Sequence, residues 1–294
     1  MNQTPYIEFK KQRELGDILT DAFGFIRNQF KPFFGTFFKI VGPYLLVMLI
    51  AYSFYFYAIG DIMNFNIETS NGAFGPFMIL IALFLFLVSI FVCLAMAQAT
   101  VLYYIRSYAN NKGRADFQEV KRDVYTNFWR FFGLVLLVGL ALTAGFMLCI
   151  IPGIYLYPPL MLAFSILVFD RKSVGDAFSY SFTLIKDNWW ATFGTLLVIG
   201  IIVAVIGYAF NIPAAMYMWA KMGIFSGEMD AETMSNGFID PIYVILNLLS
   251  VLVQFMLNLV SVVAGALIYF HLNEKKNFTG TYERIENLGK SSQQ

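Results

Sequence analysis

Residues 151–194, IPGIYLYPPLMLAFSILVFDRKSVGDAFSYSFTLIKDNWWATFG, contain the pattern on which the rest of the chain is built. An apolar run leads to the charged step Asp170-Arg171, which we interpret as a local ion pair that fixes the depth of the first run. An amphipathic stretch follows, with Ser173 and Asp176 as a helix-capping signature at its start. This order predicts a membrane span, a helix lying in the interface, and a second span.

The composition extends this interpretation to the whole chain of 294 residues. It is 59% hydrophobic and only 13% charged, against about 25% charged residues in a soluble domain. A run of about 20 apolar residues crosses a bilayer, and six such runs are present, at roughly 40–59, 75–103, 131–151, 153–169, 190–218 and 242–270. We predict an all-α, polytopic membrane bundle forming one integral domain over residues 1–272, with a cytoplasmic tail over 273–294.

Basic residues are concentrated in alternate loops. Four segments hold 19 of the 20 Lys and Arg residues: 1–39, 104–130, 170–189 and 271–294. The remaining one, Lys221, precedes an acidic loop with Glu228, Asp230, Glu232 and Asp240. Because short basic loops stay cytoplasmic, we predict that both termini lie on the cytoplasmic side of the membrane. Such a face also suits anionic lipid headgroups, although positive-inside bias alone would produce it. Nothing in the pattern indicates nucleic acid.

An internal repeat supports the same topology. Residues 15–36 align without gaps on residues 174–195 with seven identities in 22 columns, and residues 127–133 echo the end of this motif. The repeated element is an interfacial helix followed by a membrane hairpin. Parallel repeats of this kind are known in membrane proteins. We predict three such units, at about 14–106, 115–170 and 173–272.

Glycine and proline predict irregularities within this plan. Gly42-Pro43 is expected to break the first span early, and residues 151–153 are expected to form the turn between the third and fourth spans. Pro158-Pro159 is expected to kink or partly unwind the fourth span.

Small residues one helical turn apart predict close helix packing in two spans. Ala141 and Gly145 form such a pair in the third span, and Gly200, Ala204 and Gly207 share a face of the fifth. Faces of this kind let two helix backbones approach closely.

The opening stretch resembles a known bacterial motif: a Pro-Gly, an apolar run, an acid before a Ser/Ala-rich helix, and an aromatic pair. The matching residues are Pro152, Gly153, Asp170, Ala177, Ser181, Trp189 and Trp190. The motif is that of an inner-membrane family that includes the membrane domain fused to some glycerophosphodiester phosphodiesterases, together with related uncharacterised membrane proteins. The resemblance implies a multi-pass module of a bacterial inner membrane. It implies no reaction, because the hydrolase chemistry belongs to a soluble barrel with no counterpart here.

Groups for catalysis are sparse. The predicted spans have no Asp or Glu in their interiors, and His271 is the only histidine. No nucleophile is paired with a base, and no phosphate loop is present. We therefore predict no enzymatic activity, no catalytic residues, no cofactor and no metal site.

The most distinctive polar feature inside a predicted span lies in the sixth. At 100° per residue its polar side chains fall within an arc of roughly 80°. They are Asn247, Ser250, Gln254, Asn258 and Ser261, here called the polar stripe. The stripe is either a helix-packing seam with hydrogen bonds to neighbouring helices, or the wall of a polar cavity.

Two functional hypotheses follow. The first is a non-enzymatic membrane scaffold or accessory subunit, acting with a membrane-protein partner or as a homo-oligomer. The alternative is a small transporter or lipid-handling protein whose intramembrane cavity is lined by the sixth span.

Overall fold

The computed structural model describes residues 6–63, 74–224 and 240–282, except for the side chains of 60–63 and 74–76. All regular structure in these ranges is helical. The helices are α1 (Leu15–Asn28), α2 (Phe30–Met63), α3 (Phe74–Asn110), α4 (Phe117–Leu148), α5 (Ile150–Phe169), α6 (Val174–Ile185), α7 (Trp189–Lys221) and α8 (Pro241–Asn277). A single 3₁₀ turn, Lys186–Asn188, joins α6 to α7.

Six helical segments among the described residues are long and apolar enough to cross a membrane. They are α2, α3, α4, α5, the continuous α6–α7 segment, and α8. The chain is therefore an all-α, multi-pass membrane protein, as predicted. Two predicted segments lie outside the described residues: the part of the acidic loop that holds Glu228, Asp230 and Glu232, and the tail beyond residue 282.

The chain packs as two compact units. Unit 1 contains Met1–Ile40, Ala95–Ile201 and Leu259–Gln294, and unit 2 contains Val41–Leu94 and Ile202–Asn258. The predicted threefold repeat, which divides the chain differently, stays a prediction.

Two of the three predicted amphipathic helices have their own bounds, although only the 3₁₀ turn Lys186–Asn188 divides α6 from α7. In α1 one face buries Ile18, Ala22 and Phe25. The backbone N–H of Asp176 donates to the Ser173 hydroxyl at 3.2 Å, so the predicted cap starts α6.

The prediction of a separate interfacial helix in the basic loop over residues 110–130 was wrong. After a cap at Asp116, α4 continues from Phe117 to Leu148 without interruption. The stretch from Asn127 to Gly133 contains no proline and no capping break, so the chain has no local reason to leave the helix.

The expected break at Gly42-Pro43 and the expected unwinding at Pro158-Pro159 do not occur, because α2 continues through Pro43 and α5 contains both Pro158 and Pro159. The two prolines of α5 are buried among protein groups, the setting in which membrane helices tolerate proline. A kink at these prolines stays a prediction. The turn before α5 falls at Cys149, whose φ and ψ are −171° and 154°, while residues 151–153 already belong to the helix.

Helices α4 and α5 of unit 1 approach closely at two glycines. A Cβ placed on Gly145 would lie 3.2 Å from the Gly153 Cα, and one on Gly153 would lie 2.4 Å from Cδ1 of Phe146. The predicted small-residue contact at Gly145 is therefore present.

An extended N-terminal segment packs into unit 1. The Phe9 ring is buried against Phe25, Tyr108 and Phe270, with ring centroids 5.3, 6.0 and 5.7 Å away. The Ile7 N–H donates to the Tyr108 hydroxyl at 3.1 Å. The segment thereby joins α1, α3 and α8.

Arg13 ends this segment with its side chain fully buried. Its Nε donates to Asp21 at 2.9 Å, and its Nη atoms donate to the carbonyls of Phe9 and Glu8. The Arg13 N–H donates to Nδ1 of His271 at 3.0 Å, so the single histidine accepts a backbone hydrogen bond. The guanidinium and its partners form a satisfied, structural ion pair.

Candidate intramembrane binding site

The first part of the polar stripe is a packing seam within unit 2. Asn247 Oδ1 accepts a hydrogen bond from the Tyr52 hydroxyl of α2 at 2.6 Å. The Ser250 hydroxyl is 2.9 Å from the carbonyl oxygen of Phe210 in α7 and 3.0 Å from that of Leu246 in α8. These bonds connect α8 to two neighbouring helices.

The next part of the stripe borders a cavity of about 350 Å³ within unit 2. Its volume falls in the range of small-molecule pockets. The lining residues are Met48, Tyr52, Phe86, Ile90, Leu94, Asn211, Ser250, Val251, Gln254, Phe255 and Asn258. The stripe is therefore a packing seam at one turn of α8 and a cavity wall at the next turns, and Ser250 belongs to both parts. Ser261 lies outside this lining.

Gln254 sits in the cavity wall because Gly207 of α7 leaves room for it. A Cβ on Gly207 would fall 1.8 Å from Gln254 Oε1. Gly200, on the predicted small-residue face, has no heavy atom within 4 Å of an added Cβ. Close packing on this face therefore occurs at Gly207 and not at Gly200.

The polar groups of the cavity differ in how they are satisfied. Asn211 Nδ2 donates to the Gly207 carbonyl at 2.9 Å, and Asn258 Nδ2 donates to the Gln254 carbonyl at 2.8 Å. Within residues 6–63, 74–224 and 240–282, the side-chain amide of Gln254 has no hydrogen-bond partner. Gln254 is half-buried, and an amide without a protein partner in a largely apolar wall favours a ligand or water that bonds to it.

The cavity is electrically neutral in character. None of the described residues that line it is Asp, Glu, Lys, Arg or His. Apolar side chains form most of the wall, the amides come from α7 and α8, and the hydroxyls come from Ser250 of α8 and Tyr52 of α2. Such a surface matches a molecule with a hydrocarbon part and an uncharged polar part.

Asp240 lies at the start of α8, at one end of unit 2. Its Oδ1 accepts from the Tyr217 hydroxyl and the Ile242 N–H, both at 2.9 Å, and its Oδ2 pairs with Lys221 at 3.1 Å. The hydrogen bond from Lys221 holds the pKa of the Asp240 carboxyl below its ordinary value.

The aromatic pair of the family motif divides into a packed and an exposed member. Trp189 stacks against Tyr155 and Phe193, and its Nε1 donates to the Tyr155 carbonyl at 3.2 Å. Trp190 is 79% exposed. Pro152 and Gly153 lie in the first turn of α5. In these positions the motif residues join α5 to the start of α7 in unit 1.

Asp170 does not form the predicted ion pair with Arg171. Its Oδ1 accepts from the Tyr269 hydroxyl at 2.5 Å, and no ion pair between Asp170 and Arg171 occurs in this described part of the chain. Arg171 has a φ of 53°, and this left-handed backbone turns the chain after α5. The carboxylate instead ties the end of α5 to α8 in unit 1.

The partners that complete the site carry no strong signal in the sequence. Tyr52, Asn211 and Gly207 come from α2 and α7, and pattern alone does not pair them with α8. The spacing of Gly207 on a small-residue face was the one usable signal. Among the described residues, no group of three or more His, Cys, Asp or Glu side chains could hold a metal.

The helices and cavity define a multi-pass helical membrane protein with an intramembrane pocket in unit 2. Comparison with known proteins finds no match among family models, characterised sequences or solved structures. The resemblance to the phosphodiesterase-associated membrane domain therefore stays a prediction.

Proposed function

We propose that the protein handles lipid, and that the cavity of unit 2 holds the uncharged ester or glycerol part of a lipid with an adjoining stretch of acyl chain. One observation carries this proposal. The unpaired Gln254 amide lines a cavity whose other walls are mainly apolar. A bound lipid supplies both the hydrogen bond and the apolar contact.

The chemistry of the wall favours a lipid over an ion. Conduction or coupling of a charged substrate needs charged or closely spaced oxygen ligands along its path. The polar groups on α7 and α8 are Asn211, Ser250, Gln254 and Asn258, and all except Gln254 already bond to backbone carbonyls. The Gln254 amide therefore retains the most capacity to bond to an uncharged headgroup region.

Photo-crosslinking tests the proposal. The full chain is reconstituted in nanodiscs containing a phosphatidylcholine with a photoactivatable group near the glycerol, and labelled peptides are mapped by mass spectrometry. We expect labels on the α2 and α8 segments that line the cavity. Gln254→Met is expected to lower labelling about fivefold, the value of one hydrogen bond of about 1 kcal/mol. Labelling spread evenly over all lipid-facing helices would contradict the proposal.

Two glycines of α7 provide a matched control. Gly207→Ala drives the new methyl group into the position of the Gln254 amide, whereas Gly200→Ala meets no atom within 4 Å. Both changes favour helix by a similar amount. We expect Gly207→Ala to reduce cavity labelling and Gly200→Ala to leave it unchanged. If both substitutions reduced labelling equally, the labelling would not report on lipid in the cavity.

The second candidate function is that of a membrane scaffold or accessory subunit. The bacterial inner-membrane location and the absence of catalysis also stay predictions. Crosslinking in native membranes tests the scaffold hypothesis. A protein that yields neither a partner nor a homo-oligomer there does not act as a scaffold.

A further inference from the structure

A second cavity, of about 400 Å³, lies in unit 1 at the polar ends of α3, α4 and α5. Four arginines line it: Arg106 near the end of α3, Arg122 and Arg130 on α4, and Arg171 after α5. Two acids, Glu119 and Asp123, line it as well. Four positive and two negative charges leave a net charge of +2 in the lining.

The two acids have partners already. Asp123 pairs with Arg122 at 3.2 Å, in a pair whose arginine side chain is 73% exposed. Glu119 accepts from the Ser107 hydroxyl at 2.5 Å and from the Asn111 amide at 3.3 Å. Neither carboxylate forms an ion pair with another arginine of the cavity.

Three arginines are left without a carboxylate partner. Over the described ranges, Arg106, Arg130 and Arg171 form no ion pair. All three line the same cavity, so their charges face one shared space. Arg106 also lies over the Tyr103 ring, 5.9 Å from its centroid. Like charges held together repel, and an anion between them removes that repulsion.

The backbone at Arg171 strengthens this case. Its φ of 53° is in the left-handed region, where glycine is the usual residue after a helix end. An arginine at this position costs conformational energy that glycine would avoid. The side chain lines the cavity despite this cost, and such strained positions are frequent at binding sites.

We propose that this cavity is a binding site for a phosphate group. The planar guanidinium matches the oxygens of phosphate in a bidentate manner, and several converging arginines are a recurring phosphate-binding arrangement. The phosphate belongs either to the headgroup of an anionic phospholipid or to a soluble phosphate ester. This site lies in unit 1, so its test is independent of the lipid cavity in unit 2.

Native mass spectrometry and thermal unfolding distinguish the two sources. In the first arm, the full chain is released from nanodiscs of mixed phosphatidylglycerol and phosphatidylcholine, and retained lipids are counted. In the second arm, the chain in phosphatidylcholine nanodiscs is titrated with glycerol phosphate while its unfolding temperature is followed. Phosphatidylglycerol retention identifies a headgroup, and stabilisation by glycerol phosphate identifies a soluble ester.

Two variants and one control make the test specific. Arg130→Gln is expected to lower the affinity for the phosphate-bearing molecule about fivefold, because one cation near a membrane surface contributes about 1 kcal/mol. Arg171→Gly is expected to lower this affinity by a similar factor. It should leave the unfolding temperature equal or higher, because glycine accepts the left-handed backbone. Lys121→Gln removes an exposed charge of α4 that does not line the cavity, and it is expected to change nothing.

The proposal is overturned if neither arm shows binding. It is also overturned if Lys121→Gln weakens binding as much as Arg130→Gln, because general surface charge would then account for it. Should Arg130→Gln fail to fold, Arg171→Gly alone decides, since an unchanged affinity in that stable variant rejects the site.

Discussion

Arg13 in unit 1 and Gln254 in unit 2 are both polar side chains set among apolar ones, but they differ in their partners. The buried Arg13 guanidinium donates to Asp21 and to backbone carbonyls. The Gln254 amide borders a cavity and has no partner among the described residues. A fully satisfied polar group holds a fold together, whereas an unsatisfied one beside open space indicates a ligand.

The largest effect is expected from Arg13→Met. The change leaves Asp21 and the Phe9 and Glu8 carbonyls without their shared donor, and it should lower the free energy of unfolding by about 3 kcal/mol. Denaturation in mixed micelles measures this loss. Lys11→Met is the control, because Lys11 pairs with the same Asp21 at 3.6 Å but is 43% exposed. Lys11→Met should lower the free energy of unfolding by less than about 1 kcal/mol. If Arg13→Met cost no more than Lys11→Met, Arg13 would have no special structural role.

Tyr52→Phe tests the seam in unit 2. The change leaves the Asn247 carbonyl oxygen without its cross-helix donor, at an expected cost of about 1 kcal/mol. Tyr55→Phe is the matched control, since the Tyr55 ring stacks on Phe86 and the substitution retains that ring. The same unfolding assay should show almost no change for the control. If Tyr52→Phe left the free energy of unfolding unchanged, the seam would not stabilise unit 2.

Gln254→Met should change the free energy of unfolding by less than about 0.5 kcal/mol. The substitution keeps the side-chain volume and removes an amide that has no partner to lose. A loss of 1 kcal/mol or more, measured in lipid-free detergent, would place Gln254 with the seam residues. That result would remove the contrast with Arg13.

The smallest effect concerns the Lys221–Asp240 pair, the exposed ion pair of unit 2. Because the folded-state pKa of Asp240 lies below its ordinary value of 3.8, the pair stabilises the fold above that pH. This stabilisation is lost as the pH falls through the folded-state pKa. The difference in unfolding temperature between the protein and Asp240→Asn should be constant from about pH 7 to 5 and should shrink below about pH 4. A difference that does not depend on pH would exclude an ionic contribution.

Local patterns predicted most of the helices. The six apolar stretches became spans, and the Ser173 capping signature became the start of α6. Errors occurred where a local signal met tertiary packing. Pro158 and Pro159 do not interrupt α5, because their surroundings in unit 1 are protein and not lipid.

The sites were harder to predict because their residues are far apart in sequence. Asn247 could be placed on a polar face, but its partner Tyr52 is 195 positions away. The arginines were recognised only as part of the basic loops. That Arg106, Arg130 and Arg171 converge on one cavity depends on how three helices end together in space.

The unbroken course of α4 has a mechanical consequence. With 32 residues it measures about 48 Å, well beyond the hydrocarbon layer of about 30 Å. Arg122 stands near one end, and Gly145 touches Gly153 near the other, about 35 Å away along the same rod. Because a stiff helix tilts as a whole, a phosphate group held near Arg122 would also restrain the far end of α4 near Gly145.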